Sequence, residues 1–178
     1  MTGGTGTLGR HVVRRLRERG CPVRVLSRKM RSGSEGVEFV VGDLARGTGV
    51  EDAVDGVDVI VHCASARKDD AEATRNLVEA ATAKGGRLPH LVYIAVVGAN
   101  GVPFGYFRTK LAAEKVVVES ALPWTIQRAT QFYDFVLGGA KSMTRLPVVP
   151  VPKDFRCQAI DPAEVADKLV GLALGPPS

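Results

Sequence analysis

Residues 2–9 read TGGTGTLG, and the glycines at positions 3, 6 and 9 have the spacing of a turn that lets a phosphate approach the backbone closely. Residues 7–19 follow with apolar side chains at helical spacing and arginines on the opposite face. The N-terminus of such a helix presents the positive end of its dipole to an anion. The stretch therefore predicts a nucleotide-binding turn, with a merely tight turn as the alternative.

The rest of the chain alternates between strand and helix patterns. Strands are predicted over 21–27, 37–43, 57–65, 90–99 and 123–129, and helices over 7–19, 50–54, 69–85, 107–121 and from 162 onward. A helix through Phe135 and an extended segment over 147–152 are weaker patterns. Such alternation indicates right-handed βαβ units, so we predict a single α/β domain over 1–178 with a doubly wound parallel sheet covered on both faces.

Composition narrows the classes of function. The formal charge is +5, and much of the excess lies in an arginine-rich stretch over 10–31 that contains no aromatic residue. This pattern favours a solvated helix face over a nucleic-acid surface. The three cysteines are scattered, with no CxxC spacing, and predict neither a disulfide framework nor a metal site. With no secretory or membrane-spanning segment in view, we expect a cytoplasmic protein that does not bind membranes.

The end of the second strand pattern predicts which dinucleotide is bound. Residues 25–31 read VLSRKMR, and no acidic residue occurs between Glu18 and Glu35. Proteins that bind NAD usually place a carboxylate here to bond the ribose hydroxyls. Arg28 occupies the position instead, and a guanidinium can bind a 2′-phosphate. The sequence thus favours NADP(H) over NAD(H), with a solvated loop arginine as the alternative.

Residues 42–44 read GDL and end the third strand pattern. Asp43 is placed to accept a hydrogen bond from an adenine amino group. It is equally placed to cap a turn, and the spacing does not choose between the two roles.

Several segments together resemble a known superfamily. TGGTGTLG, Arg28, GDL, HCAS, YIAVVGA, YFRTKLAAEKVV and WTIQRATQFYDFV follow the order seen in short-chain dehydrogenases/reductases, and the chain looks most like their atypical NmrA-like, NAD(P)H-binding branch. The resemblance implies a Rossmann-like sheet with NADP(H) across the carboxyl ends of the strands. The residues it implies around the cofactor are Gly3, Thr5, Gly6, Thr7, Leu8, Gly9, Arg28, Asp43, Leu44, Ala64, Ser65 and Lys110.

Tyr106 and Lys110 match the YxxxK pair of this superfamily. Residues four apart share one face of a helix, and a lysine ammonium near a phenol is expected to lower its pKa. The resemblance makes Tyr106 the catalytic acid or base that moves a proton as hydride is transferred, with Lys110 as its electrostatic partner. An ordinary amphipathic helix is the alternative.

One position departs from the superfamily pattern. Active members usually carry a serine after the fifth strand, where this chain has Ala95 and Val96, neither of which donates a hydrogen bond from its side chain. Two functions therefore stay open. One is an oxidoreductase acting on a small carbonyl or quinone-like substrate, and the other is a non-catalytic dinucleotide sensor that binds a regulatory protein. The resemblance suggests a monomer or homodimer.

The glycine turn normally follows a central strand, and only Met1 precedes Thr2 here. We therefore expect the fold to be truncated at both ends, with the first strand absent and NADP(H) bound weakly. A misassigned start, a fragment, or closure of the neighbouring strands over the gap would each account for this, and we favour a truncated reading frame.

Overall fold

The computed structural model describes residues 1–65, 69–83, 85–99, 105–143 and 158–178. Six helices are seen in these ranges: α1 Thr7–Glu18, α2 Val50–Val54, α3 Asp70–Thr82, α4 Gly105–Val118, α5 Tyr133–Met143 and α6 Pro162–Leu174. The strands are β1 Val23–Ser27, β2 Val37–Val41, β3 Val59–His62, β4 His90–Val96, β5 Trp124–Ala129, β6 Gln131–Phe132 and β7 Ala159–Ile160. A 3₁₀ turn covers Leu44–Arg46.

The main sheet is parallel and consists of two groups of strands. β1 pairs with β2, while β4 lies between β3 and β5. Thr2 joins the two groups, since it forms parallel bridges to both Leu26 of β1 and His62 of β3. The resulting order β2–β1–Thr2–β3–β4–β5 is that of a Rossmann-like sheet.

In the described residues no strand precedes α1, but Met1 and Thr2 form backbone hydrogen bonds to both neighbouring strands. The Thr2 N–H donates to the Val61 carbonyl at 3.0 Å and the Cys63 N–H donates to the Thr2 carbonyl at 3.2 Å. On the other side, the Leu26 N–H donates to the Met1 carbonyl at 3.0 Å. The expected alternative in which β1 and β3 close up and pair directly is therefore wrong at this level of the sheet, and the glycine turn keeps a strand-like lead.

Apolar side chains fill both faces of the sheet. One core lies under α1 and α6 and includes Val12, Val25, Val92 and Leu169. The other lies under α2, α3 and α4 and includes Ile60, Leu77 and Leu91, together with Tyr93. Alternate residues of one strand enter opposite cores, as a strand buried on both faces requires. The predicted two-sided burial is confirmed.

The last helix begins as the sequence predicts. The Asp161 carboxylate accepts a hydrogen bond from the Ala163 N–H at 2.7 Å, and Pro162 occupies the first turn. Pro lacks an N–H that would otherwise be unpaired there. In the described part of the chain, no helix is both long and apolar enough to cross a membrane.

The structure differs from the sequence patterns mainly after Ala129. α5 extends to Met143, well beyond Phe135, and the short strands β6 and β7 pair in parallel where no strand was predicted. Two-residue strands are too short to show a period, so only tertiary pairing reveals them. The predicted extended segment 147–152 lies outside the described residues.

Candidate active site

A cleft of about 1010 Å³ opens at the carboxyl ends of the strands. Ligands of open α/β sheets bind at this edge. All the site residues predicted from the sequence line it: Gly3, Thr5, Gly6, Thr7, Leu8, Gly9, Arg28, Asp43, Leu44, Ala64, Ser65, Tyr106 and Lys110. Residues that are up to 107 positions apart in the sequence are thus brought to one cavity.

Glycine is required at two positions of the turn. Gly3 has a φ of +68°, and a Cβ there would lie 2.6 Å from the Ala64 nitrogen at the end of β3. A Cβ on Gly9 would collide with the Gly3 carbonyl oxygen. The small residues therefore let the chain leave the sheet and let α1 pack against the turn.

The N-terminus of α1 faces the cleft without a competing anion. Gly6 is its N-cap residue and supplies no capping side chain, and the first turn of α1 contains no acidic residue. Free N–H groups and the helix dipole at such an end suit a phosphate.

A basic group lies at the end of β1. Arg28, Lys29 and Arg31 line the cleft and are exposed to solvent. The Ser27 hydroxyl donates to the Lys29 carbonyl at 2.9 Å, which shapes the turn that carries these side chains. Three cations within four residues create a local positive field at this end of the cleft.

Asp43 has the capping role that the sequence left open. Its carboxylate accepts a hydrogen bond from the Ala45 N–H at 3.0 Å and caps the 3₁₀ turn. It also lines the cleft, so the capped turn presents Leu44 and Ala45 to the same cavity.

Tyr106 and Lys110 lie on one face of α4, as their spacing predicts. The Lys110 Nζ is 6.0 Å from the centre of the Tyr106 ring. It also lies 2.8 Å from the Asp70 Oδ2, and the Lys110 and Asp70 side chains are only 5% and 4% exposed. Lys110 is thus one half of a buried ion pair whose other half is the first residue of α3.

The expected lowering of the Tyr106 pKa is wrong. Burial raises the pKa of the Tyr106 phenol, and the negative charge of Asp70 raises it further. The Lys110 charge is offset by Asp70, so the cation expected to favour phenolate is already paired. Tyr106 is consequently a phenol at neutral pH.

A chain of hydrogen bonds runs behind this pair through His62. The Thr74 hydroxyl donates to the Asp70 carbonyl at 2.7 Å, so it accepts from His62 Nε2 at 3.1 Å. The proton of the imidazole is then on Nε2, and Nδ1 accepts from the Thr2 hydroxyl at 2.6 Å. One neutral histidine therefore links the strand-like Thr2 to the start of α3.

Sequence reasoning missed three polar residues that shape the site. Asp70 is one of two adjacent aspartates at the start of a predicted helix, where the usual role is N-terminal charge. His62 interrupts the apolar run VDVIVHCAS. A polar residue in a buried strand needs hydrogen-bond partners, so this pattern could have indicated a buried polar contact. Thr2 gave no signal, since its partners come from distant segments.

Ala95 lies in the wall of the cleft. Its side chain is 2% exposed and packs in the core under α3 and α4. Thr109 does not replace the missing serine, since its hydroxyl donates to the Tyr106 carbonyl at 2.8 Å.

These features fit a dinucleotide. The turn has no room for a Cβ on Gly3 or Gly9, the N-terminus of α1 is free of acids, and the cleft continues from there to Tyr106 and Lys110. The fold and the cleft define the class: a Rossmann-like α/β protein with a dinucleotide cradle.

Comparison with known proteins gives the family. The model of the NAD(P)H-binding family matches residues 3–176, and the chain belongs to this family. The chain is 30% identical over 181 residues to (4-alkanoyl-5-oxo-2,5-dihydrofuran-3-yl)methyl phosphate reductase of Streptomyces griseus, a match that covers 98% of this chain and 62% of the reductase. It is 28% identical over 146 residues to photosystem II assembly factor Ycf39 of Trieres chinensis, covering 74% of this chain and 44% of that protein.

Solved structures share the fold. Triphenylmethane reductase of Citrobacter, complexed with NADP(H), has a TM-score of 0.76 and 22% identity, over 99% of this chain and 65% of the reductase. NADPH-dependent quinone oxidoreductase of Escherichia coli, complexed with NADPH, has a TM-score of 0.77 and 20% identity, over 98% of this chain and 65% of that enzyme. The chain thus spans less than two thirds of the length of these relatives, and it has an NAD(P)H-binding, reductase-like fold.

Proposed function

We propose that the chain is the NADP(H)-binding part of a reductase that acts on a small carbonyl or quinone-like compound. The observation that carries this proposal is that Tyr106 and Lys110 share one cleft with the glycine turn and with Arg28. A group that can give a proton thereby lies in the same cavity as the cradle for a hydride-carrying cofactor.

The preference for NADP(H) over NAD(H) rests on charge. The end of β1 offers Arg28, Lys29 and Arg31 to the cleft, and no acidic residue lies between Glu18 and Glu35 to repel a 2′-phosphate. Arg28 would pair with that phosphate, while the N–H groups at the start of α1 would receive the pyrophosphate.

The proposed chemistry uses the protonated state of Tyr106. NADPH, when bound, supplies a hydride, which is a proton with two electrons, to the carbonyl carbon of the substrate. Tyr106 would donate its phenolic proton to the carbonyl oxygen, giving an alcohol, and would regain a proton from solvent. The raised pKa of Tyr106 suits this role, because the side chain holds its proton until an acceptor arrives.

Replacing the proton donor tests the reductase proposal. We expect Tyr106→Phe to lower the rate of NADPH oxidation with a panel of quinones and ketones by about 100-fold or more, since a positioned acid typically contributes 10²–10⁴-fold. Tyr133→Phe, at an exposed tyrosine of α5, is the matched control and should oxidise NADPH at the unaltered rate. Undiminished turnover by Tyr106→Phe would remove the assigned role.

Removing Arg28, one of the three cations at the end of β1, tests the choice of cofactor. By calorimetry, we expect Arg28→Ala to weaken NADPH binding by about tenfold or more while leaving NADH binding unaltered, because a charge-assisted hydrogen bond contributes roughly 1.5–3 kcal/mol. Arg17→Ala, at an exposed arginine of α1 outside the cleft, is the control. Equal loss for both dinucleotides would contradict the proposed contact with the 2′-phosphate.

A second candidate function is a non-catalytic dinucleotide sensor that binds a regulatory protein. Ala95 favours it, because a polarising hydrogen-bond donor is missing where active relatives are expected to have a serine. The sensor predicts NADPH binding with no turnover of any compound in the panel. The reductase predicts turnover that depends on Tyr106.

A further inference from the structure

Lys110 on α4 forms an ion pair with a residue of a different helix, α3. The Asp70 carboxylate begins α3, and its Oδ2 lies 2.8 Å from the Lys110 Nζ on α4. Both side chains are almost fully buried, although both line the cleft. A lysine has a flexible four-carbon stem, so a partner on a rigid element decides where its ammonium lies.

Asp70 itself is fixed on several sides. The Ser65 hydroxyl lies 3.4 Å from its Oδ2, and the Thr74 hydroxyl donates to its backbone carbonyl at 2.7 Å. The first contact links the carboxylate to the segment after β3, and the second fixes the backbone of Asp70 in the first turn of α3.

Four titratable groups around the pair are uncharged at neutral pH. From β3, burial lowers the pKa of His62 to about 3 and raises the pKa of the neighbouring Cys63 thiol to about 12. From β4, burial raises the pKa of Tyr93. On α4 itself, burial raises the pKa of Tyr106.

Two further acids lie nearby: Asp69, which is exposed, and Glu114, which is paired elsewhere. Glu114, one turn beyond Lys110 on α4, forms a salt bridge with Arg128 of β5. Among these described groups, Asp70 is thus the anion that offsets the buried Lys110 ammonium. A buried amine that loses its counter-charge favours the neutral form.

We propose that Asp70 is a positioning residue that holds Lys110 at the wall of the cleft and keeps it as an ammonium. For the reductase or sensor this extends the proposed function, on which it rests, because the ammonium is then available to the bound cofactor. The ion pair is a property of the chain alone, so its test does not depend on catalysis.

The test follows the charge of Lys110 directly. In protein labelled with ¹³C at lysine Cε, the Lys110 resonance, assigned by its loss in Lys110→Met, reports the charge of the amine. We expect Asp70→Asn to shift this resonance to the neutral position at pH 8, while the native protein keeps the ammonium position. Glu79→Gln is the matched control, since Glu79 lies at an exposed position of α3 outside the cleft. A Lys110 resonance that stays at the ammonium position in Asp70→Asn overturns the proposal.

A second variant covers the case in which Asp70→Asn does not fold. The double variant Asp70→Asn/Lys110→Met removes both charges and is expected to fold, with urea unfolding restored toward that of the native protein, because no lone charge stays buried. A double variant as unstable as Asp70→Asn would show that Asp70 acts through something other than Lys110, and would overturn the proposal.

NADPH titration separates this inference from the proposed function. We expect Asp70→Asn to bind NADPH about tenfold or more weakly than the native chain, and Glu79→Gln to bind it as the native chain does. If the native chain bound no NADPH, the proposed function would fail while the Lys110 resonance still decided the role of Asp70. If the native chain and Asp70→Asn bound NADPH equally tightly, this inference alone would fail.

Discussion

His62 shows how one buried side chain couples the fold to pH. It is 2% exposed and bonded at both ring nitrogens, to Thr2 and to Thr74. Burial, the Lys110 charge and the N-terminal ammonium lower its pKa from 6.5 to about 3. The folded protein therefore keeps this imidazole neutral at pH values where the unfolded chain takes up a proton.

The sign of the resulting dependence follows by linkage. A base whose pKa is lower in the folded state stabilises the fold fully above its unfolded pKa, and this contribution is lost as pH falls from 6.5 toward 3. Between pH 7 and pH 5 we expect His62 alone to cost about 2 kcal/mol of unfolding free energy.

Urea unfolding at these two pH values measures the effect. The expected result is that His62→Gln loses about 2 kcal/mol less than the native protein between pH 7 and pH 5. His90, whose pKa burial also lowers, is present in both proteins and cancels in the difference. Parallel losses in the two proteins would show that His62 does not titrate in this way.

Some site residues could be identified from the sequence, and others could not. The three glycines and Arg28 could be singled out in the sequence because each has a local physical requirement, for space or for charge, that a short motif displays. Asp70 and Thr2 have no such local mark. Their roles arise from partners on other elements, Lys110 on α4 and His62 on β3, which only the folded chain brings near.

At the level of elements, α6 depends on its first residues. The Asp161 carboxylate caps the helix through the Ala163 N–H, and the buried face of α6, including Leu169, packs on α1 and the sheet. We expect Asp161→Ala to lower the unfolding free energy by about 1 kcal/mol, since it leaves an N–H at the helix start without a partner.

The matched control lies on the same helix. Lys168→Ala, at an exposed position of α6, should alter the unfolding free energy by less than about 0.5 kcal/mol. An equal effect of the two substitutions, measured by urea unfolding, would indicate that the cap contributes nothing of its own.

The boundaries of helices and strands could be predicted where local residues set them, and not where pairing with a distant segment sets them. α2 and the start of α6 match the predicted positions because glycine, aspartate and proline fix them locally. β3 is shorter than predicted: 57–65 has the composition of a strand, but pairing is limited to Val59–His62. β6 and β7 could not be predicted, because each is defined by the other.

For the whole molecule, alternation of elements predicted the parallel sheet, and the family resemblance implied the edge at which the cleft opens. It did not predict how the two groups of strands are joined. Met1 and Thr2 form backbone hydrogen bonds to Leu26 on one side and to Val61 and Cys63 on the other, beside the glycine turn. Those bonds connect β1 and β2 to the remaining three strands of the main sheet.

Hydrogen–deuterium exchange measures how stable the backbone hydrogen bonds of Met1 and Thr2 to the neighbouring strands are. We expect the amides of Leu26 and Cys63 to exchange faster than that of Leu91, which donates to the Pro123 carbonyl between β4 and β5. Addition of NADPH should slow Leu26 and Cys63 and leave Leu91 unaffected. Protection that is uniform across the three amides would contradict a weak junction at Thr2.

Because the junction lies beside the glycine turn, separation of the two groups of strands at Thr2 and binding of a nucleotide at the turn are coupled equilibria. Separation at Thr2 would carry Gly3 away from Ala64 and dismantle the turn, so any nucleotide that needs the turn must favour the joined form. A ligand that binds only the joined form would raise the fraction of molecules in which the two groups of strands are joined, and this fraction would rise with the ligand concentration.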